Sequence, residues 1–269
     1  MTPDRFSETD TPRFLHLAAS EGWITDAGEI DFLLSSFPQG CLVRRLQGRG
    51  EAFVTSLRHE RSGWIGNLLV QPSLRRQGTG GELMAEALAA LEQGGVETVW
   101  LTASPSGKPL YERLGFKEID TIRRWRGGGL EAALPVGGES RLSDLLRWDS
   151  AGWGDRRERL LRSLVAVGTL HAGSGGCLVI RPQGRHSQIG PWVGESASAL
   201  VELFEETVRP ADPGRLFLLD VPEGNGAVTC CLEQNGFVTT GTTVLMYRGK
   251  TPGYRPDLIG ALGSFGSMG

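Results

Sequence analysis

Residues 74–83 read LRRQGTGGEL. Arg75, Gly78 and Gly80 are spaced as Arg or Gln, two free positions, Gly, one free position, then Gly or Ala. The loop separates a β-rich run, GWIGNLLV, from an amphipathic one, ELMAEALAALEQ. A glycine-rich turn that opens a helix presents successive backbone N–H groups where the helix dipole is positive, and its glycines let the main chain approach a pyrophosphate. Arg75, Arg76, Gln77, Gly78, Thr79, Gly80 and Gly81 are therefore candidate diphosphate contacts, the two guanidinium groups adding charge. A turn that is merely rich in glycine is the structural alternative. Two other phosphate loops fail. A dinucleotide fingerprint needs glycine where Leu83 stands, and a P-loop needs Gly-Lys followed by Ser or Thr, which is absent.

Metal chemistry is not expected. Cys41, Cys177, Cys230 and Cys231 form no C-x-x-C pair, and His16, His59, His171 and His186 are scattered. A net charge of −3 gives no reason to expect a nucleic-acid partner. The basic RRWR at 123–126 lies near Lys117, Glu118 and Asp120, which suits a solvated strand face. No apolar run approaches the length of a membrane span, and the first residues lack the pattern of a secretory leader, so a cytoplasmic protein is expected.

The elements that would position the loop occur twice. Residues 40–49, GCLVRRLQGR, and 176–185, GCLVIRPQGR, differ only at Arg44/Ile180 and Leu46/Pro182. Around the first copy, RFLHLAASEGW and EIDFLLSSF read as helices, and GCLVRRLQ, EAFVTSLRHE and GWIGNLLV as an antiparallel meander. After the loop, Leu83, Ala87, Leu88 and Leu91 share one helical face. TVWLTA is a buried strand, KPLYERLGF a short helix ended by Gly115, and KEIDTIRRWRG a closing strand pair. The second copy offers helices in LLRWDSAGWGDRRERLLRSL, strands GCLVIRPQGR and SQIGPWV, a long helix SASALVELFEETV, a buried strand RLFLLDV, a short helix AVTCCLEQNGF and a last strand TTGTTVLMYRG. It lacks one strand of the first. LGF at 114–116 returns as NGF at 235–237. The expected fold is mixed α/β (α+β), a duplicated domain with a mostly antiparallel twisted sheet flanked by helices. Residues 1–126 and 141–269 form the two units, and the Gly- and Ala-rich 127–140 a linker.

GWIGNLLVQPSLRRQGTGGELM, followed about thirty residues later by LYERLGF, resembles the GNAT superfamily of N-acetyltransferases over residues 14–126. AASEGW, DVPEGN, NGF and LMYRG also resemble a bacterial two-domain subgroup whose C-terminal half is a degenerate GNAT domain. The resemblance implies direct transfer of acetyl from acetyl-CoA to an amine. Backbone groups of Leu68, Leu69 and Val70 would pair with the pantetheine on a strand that carries a bulge and splays from its neighbour. The N–H of Leu69 or Val70 would serve the oxyanion, and Tyr111 of LYERLGF would be the general acid. Ser104 and Ser106 stand near a CoA contact that many relatives make with Asn. The second copy has IGPWVGESASAL where the loop should be, so acetyl-CoA is expected only in the first half.

No base is assigned. GWIGNLLV has no carboxylate, Asn67 takes no proton, and Glu51, His59, Glu60, Asp220 and Glu223 are candidates or ordinary surface groups. Trp23, Trp64 and Trp192 suit either a pocket or a core, and Tyr247 and Arg248 a substrate contact. The apolar tail YRPDLIGALGSFGSMG is expected to dock on the body. The resulting expectation is an acyltransferase acting on a small amine or amino-acid-like acceptor, as a monomer or homodimer with no nucleic-acid or membrane partner. A protein N-acetyltransferase and an acetyl-CoA sensor without turnover are the alternatives.

Overall fold

The computed structural model describes residues 3–132, 140–173, 175–211 and 214–269. The first half runs β1 (Asp4–Arg5), α1 (Thr11–Ser20), α2 (Ala27–Ser36), β2 (Leu42–Leu46), β3 (Arg49–Arg58), β4 (Ser62–Val70), α3 (Thr79–Gln93), β5 (Thr98–Ala103), α4 (Lys108–Arg113) and β6 (Lys117–Ala132). The second half runs α5 (Ser140–Trp153), α6 (Glu158–Ala166), β7 (Thr169–Ala172), β8 (Gly176–Gln183), β9 (His186–Gly194), α7 (Ala197–Thr207), β10 (Val208–Pro210), β11 (Arg215–Pro222), α8 (Gly226–Gln234), β12 (Val238–Gly249) and β13 (Ile259–Ala261).

Each QGR closes a hairpin, but one strand apart in the two halves: β2–β3 in the first, and β8–β9, which take the places of β3 and β4, in the second. Gln47 and Gly48, at φ of 51° and 79°, turn β2 into the antiparallel β3, and Gly184, at φ 60°, turns β8 into β9. Such tight turns need positive φ, which explains why the triplet recurs. In α3 the face expected to be apolar is buried: Leu83, Ala87, Leu88 and Leu91, joined by Met84, pack on the first half of the sheet.

All these strands form one sheet, ordered β1-β2-β3-β4-β5-β12-β6-β11-β9-β8-β7, with β10 beside β6 and β13 beside β9. The halves exchange their last long strands. β12 of the second half pairs antiparallel with β5 of the first, and β6 of the first pairs antiparallel with β11 of the second. β6 and β12 pair with each other, Lys117 facing Tyr247 and Arg126 facing Val238. Each chain segment follows its own Gly-Phe (115–116 and 236–237), so the register is the one a pseudo-twofold axis near Ile122 and Thr243 demands.

Three details differ from the sequence reading. The expected closing pair KEIDTIRRWRG is one long strand, because its return partner comes from the other half. That strand continues through Gly127–Gly129 to Ala132, so the first part of the expected linker is sheet, and 133–139 lie outside the described residues. TLHA at 169–172, not expected as a strand, forms β7 on the edge of β8 where β2 lies on β3, so the second half does not lack the strand it was expected to have lost.

Beyond the sheet, Asp155 fixes the second half to the first. Its carboxylate accepts from the backbone N–H of Ser62 at 2.8 Å, the Ser62 hydroxyl at 2.7 Å and the N–H of Arg61 at 3.2 Å. Trp153 beside it makes edge contacts with Trp64 and Trp100, so a second-half side chain sits in the first half's core.

Candidate active site

β4 does two things that matter. It pairs in parallel with β5 only from Ser62 to Trp64, opposite Thr98 to Trp100, and then the strands part. Just beyond, its register against β3 shifts between Phe53 and Thr55, where Asn67 adopts a left-handed φ of 55°. The bulge and splay expected on this strand are both present. The backbone of Leu68, Leu69 and Val70 therefore lines one side of an opening with no strand filling it.

The glycine-rich loop stands at the top of that opening. Gly78 is the residue before α3, at φ 86°, and no side chain caps the helix. The first amides of a helix have no internal partner, so those of Thr79, Gly80 and Gly81 donate no bond within α3. A Cβ on Gly80 would meet only ordinary contacts, 3.6 Å from Val70 and 3.7 Å from Leu110. The protein's own packing thus does not demand glycine there. Arg76, also left-handed at φ 59°, is exposed. Arg75 is engaged inward: Nε donates to Val70 O at 2.7 Å and Nη2 to Glu21 at 2.5 Å. Gln77 donates to Ser73 O at 2.7 Å. These two side chains brace the loop.

Where β4 and β5 part lies a cavity of about 230 Å³. Its walls are the α1–α2 connection, β4 from Ile65 to Leu68, the end of β5, Tyr111 of α4, Arg124 of β6, Thr243 of β12 and the tail from Phe265 to Ser267. Tyr111 is buried, and burial pushes its phenol up to about 12. Ser104 also faces the cavity, where its hydroxyl bonds Ser106 at 3.1 Å and accepts from Gly107 N at 3.2 Å.

The structure brings in a carboxylate that sequence reasoning missed. Glu29, on the first turn of α2, lines the same cavity, with the Thr25 hydroxyl donating to it at 3.2 Å. Burial raises its carboxyl to about 7, opposed by the Ser267 hydroxyl and the charge of Arg181. The earlier base candidates stand elsewhere. Glu51 pairs with Arg13 at 2.5 Å, Glu223 with Arg123, and Asp220 with Arg124. Burial and Arg157 lower His59 to about 3, and neither it nor the exposed Glu60 lines this cavity. Trp23, at the mouth, does line it, whereas Trp64 and Trp192 are core. Tyr247 packs on Trp100 and Arg248 pairs with Glu92, away from the cavity. The tail docks as expected: Trp64 Nε1 donates to Gly266 O at 3.0 Å.

The matching place in the second half is filled by the protein itself. β9 and β11 pair in parallel only from His186 to Gln188, then part as β4 and β5 do. Into this gap runs β13, antiparallel to β9 at Trp192 and Val193, and Leu262 N donates to Asp220 O of β11 at 2.8 Å. α7, unlike α3, is capped, since the Ser196 hydroxyl accepts from Ala199 N at 3.2 Å. Among the described residues no group of three or more His, Cys, Asp or Glu stands placed for a metal ion, and no helix is long and apolar enough to cross a membrane.

The chain is similar to known proteins in sequence and in fold. Residues 47–128 match one acetyltransferase (GNAT) domain model, and residues 145–259 match another. Ribosomal protein bS18 alanine N-acetyltransferase of Escherichia coli K12 is 44% identical over 61 residues, which is 22% of this chain and 40% of that enzyme. Among solved structures, a Pyrococcus horikoshii protein assigned as an acetyltransferase superposes with a TM-score of 0.80 at 17% identity, covering 99% of this chain and 95% of that one. A tandem GNAT protein from the clavulanic acid biosynthesis pathway gives 0.58 at 14% identity, over 94% and 98% of the two chains. With a GNAT domain matched in each half and the whole fold shared, the chain belongs to the GNAT acetyltransferase family and is an acyltransferase.

Proposed function

We propose that the first half binds acetyl-CoA and that the chain acetylates a small amine in the cavity between its halves. The carrying observation is one opening, between the parted β4 and β5, that has an uncapped helix start at one end and Glu29 and Tyr111 in its cavity. Acetyl-CoA supplies an acetyl group activated as a thioester. The amides from Arg76 to Gly81 hold its diphosphate, Leu68 to Val70 pair with its pantetheine, and Ser104 borders it. Arg75 and Gln77 keep the loop in shape.

Glu29 is the base. A carboxyl poised near 7 is matched to removing a proton from an ammonium group at neutral pH. The N–H of Leu69 or Val70 donates to the oxygen that gains charge. Tyr111 keeps its proton at neutral pH and donates a hydrogen bond to sulfur as the thiolate departs. Complete transfer is uphill from a phenol near 12 to a thiolate whose acid has a pKa of about 8.5, so the hydrogen bond is the main contribution. The second half, whose slot β13 occupies, binds no donor and instead walls the acceptor.

The test is acetyl-CoA binding by thermal shift, followed by thiol release with a panel of amines and an alanine-initiated peptide. Tyr111→Phe should bind acetyl-CoA as wild type does and release thiol about 10- to 100-fold more slowly. Unchanged turnover removes Tyr111 from the mechanism. The match to bS18 alanine N-acetyltransferase supports a second reading, a protein N-terminus as acceptor. Faster release with the peptide than with every small amine would select it.

A further inference from the structure

The cavity carries two charged side chains, Glu29 from α2 and Arg124 from β6. The first has a role in the proposed chemistry, whereas the second has none. We infer that Arg124 reads a carboxylate on the acceptor, so that the substrate is a small zwitterion of the free amino-acid class. This rests on the acetyl-transfer reading above and adds the identity of the acceptor's other end.

The guanidinium is held as a receptor would hold it. Asp220 of β11 takes Nε at 2.7 Å and Nη2 at 2.8 Å, a side-on fork, and the Phe265 ring lies 4.4 Å from the guanidinium carbon. Two walls therefore fix its plane before any ligand arrives, which lowers the ordering cost of binding. The fork uses only one edge. Among the described residues Nη1 has no hydrogen-bond partner, and the end-on edge formed by Nη1 and Nη2 has the spacing that accepts a carboxylate through two parallel bonds. The side chain is 30% exposed and Nη1 is not a buried unpaired atom, so that edge is open to a ligand that displaces water from the cavity.

A purely structural role explains the pair poorly. Asp220 and Arg124 already face each other in the register of β11 and β6, so the backbone ladder joins these strands without the ion pair. What the pair adds is a charge fixed at the cavity wall. Burial and Asp220 together act on this group with a net upward shift of its pKa, so it is charged at any working pH. Glu29 at one wall suits the amine of a zwitterion and Arg124 the carboxylate. The cavity, about 230 Å³, has room for such a molecule. Asp220 comes from the second half and Phe265 from the tail, so the half without a donor site orients the acceptor.

The experiment measures thiol release by the full chain at saturating acetyl-CoA with matched amines: L-phenylalanine against phenethylamine, L-leucine against isoamylamine, L-lysine against cadaverine. At least one carboxylate-bearing member should exceed its partner in kcat/KM by about tenfold or more, mainly through KM. Arg124→Met should bring that ratio towards one, and Arg124→Lys, which keeps charge but not the fork, should give an intermediate ratio. Circular dichroism and acetyl-CoA binding report whether each variant is folded. Because the substrate pairs are compared on the wild-type protein, a variant that fails to fold leaves the inference testable. Equal or better use of every decarboxylated amine overturns the inference and leaves acetyl transfer standing. A ratio unchanged in folded Arg124→Met overturns it as well. Failure to bind acetyl-CoA, or binding without thiol release from any amine, overturns both.

Discussion

Burial gives Glu29 two opposite consequences. It raises the carboxyl to about 7, which makes a useful base, and it makes the ionised form unfavourable in the folded chain. From an ordinary pKa of 4.5 up to about 7 the folded protein retains a proton that the unfolded chain has released, so stability falls as pH rises through that window. Glu29→Gln should therefore melt higher than wild type at pH 8, with the difference gone near pH 4. The same variant should lose the limb of kcat/KM that rises towards pH 7. Calorimetry and a pH–rate profile check the pair; equal melting at pH 8 together with an intact limb excludes Glu29 as the base. Its place in the cavity was hidden in the sequence because DAGE at 26–29 reads as a helix start. Asp26 caps α2 through Glu29 N at 2.9 Å, and an acid at that position normally serves the helix dipole. Arg124 was hidden likewise inside RRWR, where neighbouring charges made a solvated face the natural reading. The position of Tyr111 at the cavity was legible, because its surrounding LYERLGF is local and ends in a Gly115 whose φ of 85° needs glycine.

At the scale of elements, α3 and α7 are the same helix with different beginnings. One opens on left-handed Gly78 with its first amides unclaimed, the other on a serine cap. Gly80→Glu should abolish acetyl-CoA binding by placing a carboxylate where the diphosphate belongs, while the melting temperature without ligand changes little, since a Cβ there meets no close contact. Thermal shift with and without acetyl-CoA measures both; a retained ligand shift would mean the loop is misassigned. The glycine opening of α3 followed from the spacing of Arg75, Gly78 and Gly80. The filling of the other slot by β13 did not. IGA at 259–261 is too short and too mild in pattern to announce a strand, and its pairing with β9 comes from a long-range fit: a Cβ on Gly190 would lie 1.9 Å from Leu262 O.

For the whole molecule, the repeated order of elements and the paired Gly-Phe turns made the tandem arrangement readable, although GCLV and QGR fall one strand apart in the two halves. The exchange of β6 and β12 was not readable, because a strand's pattern of buried and exposed residues is the same whichever copy supplies its neighbours. The exchange has a practical consequence. A break placed between residues 132 and 140 would yield two pieces, neither of which owns a complete sheet: the first would expose the edge of β5, the second the edge of β11. Each piece made alone should aggregate, as unpaired edges do, while the two produced together should complement one another and recover an acetyl-CoA-dependent thermal shift. A soluble first piece that binds the coenzyme unaided would show the exchange to be dispensable. Otherwise, although only one half keeps an open slot between its parted strands, the two halves must be inherited as a unit.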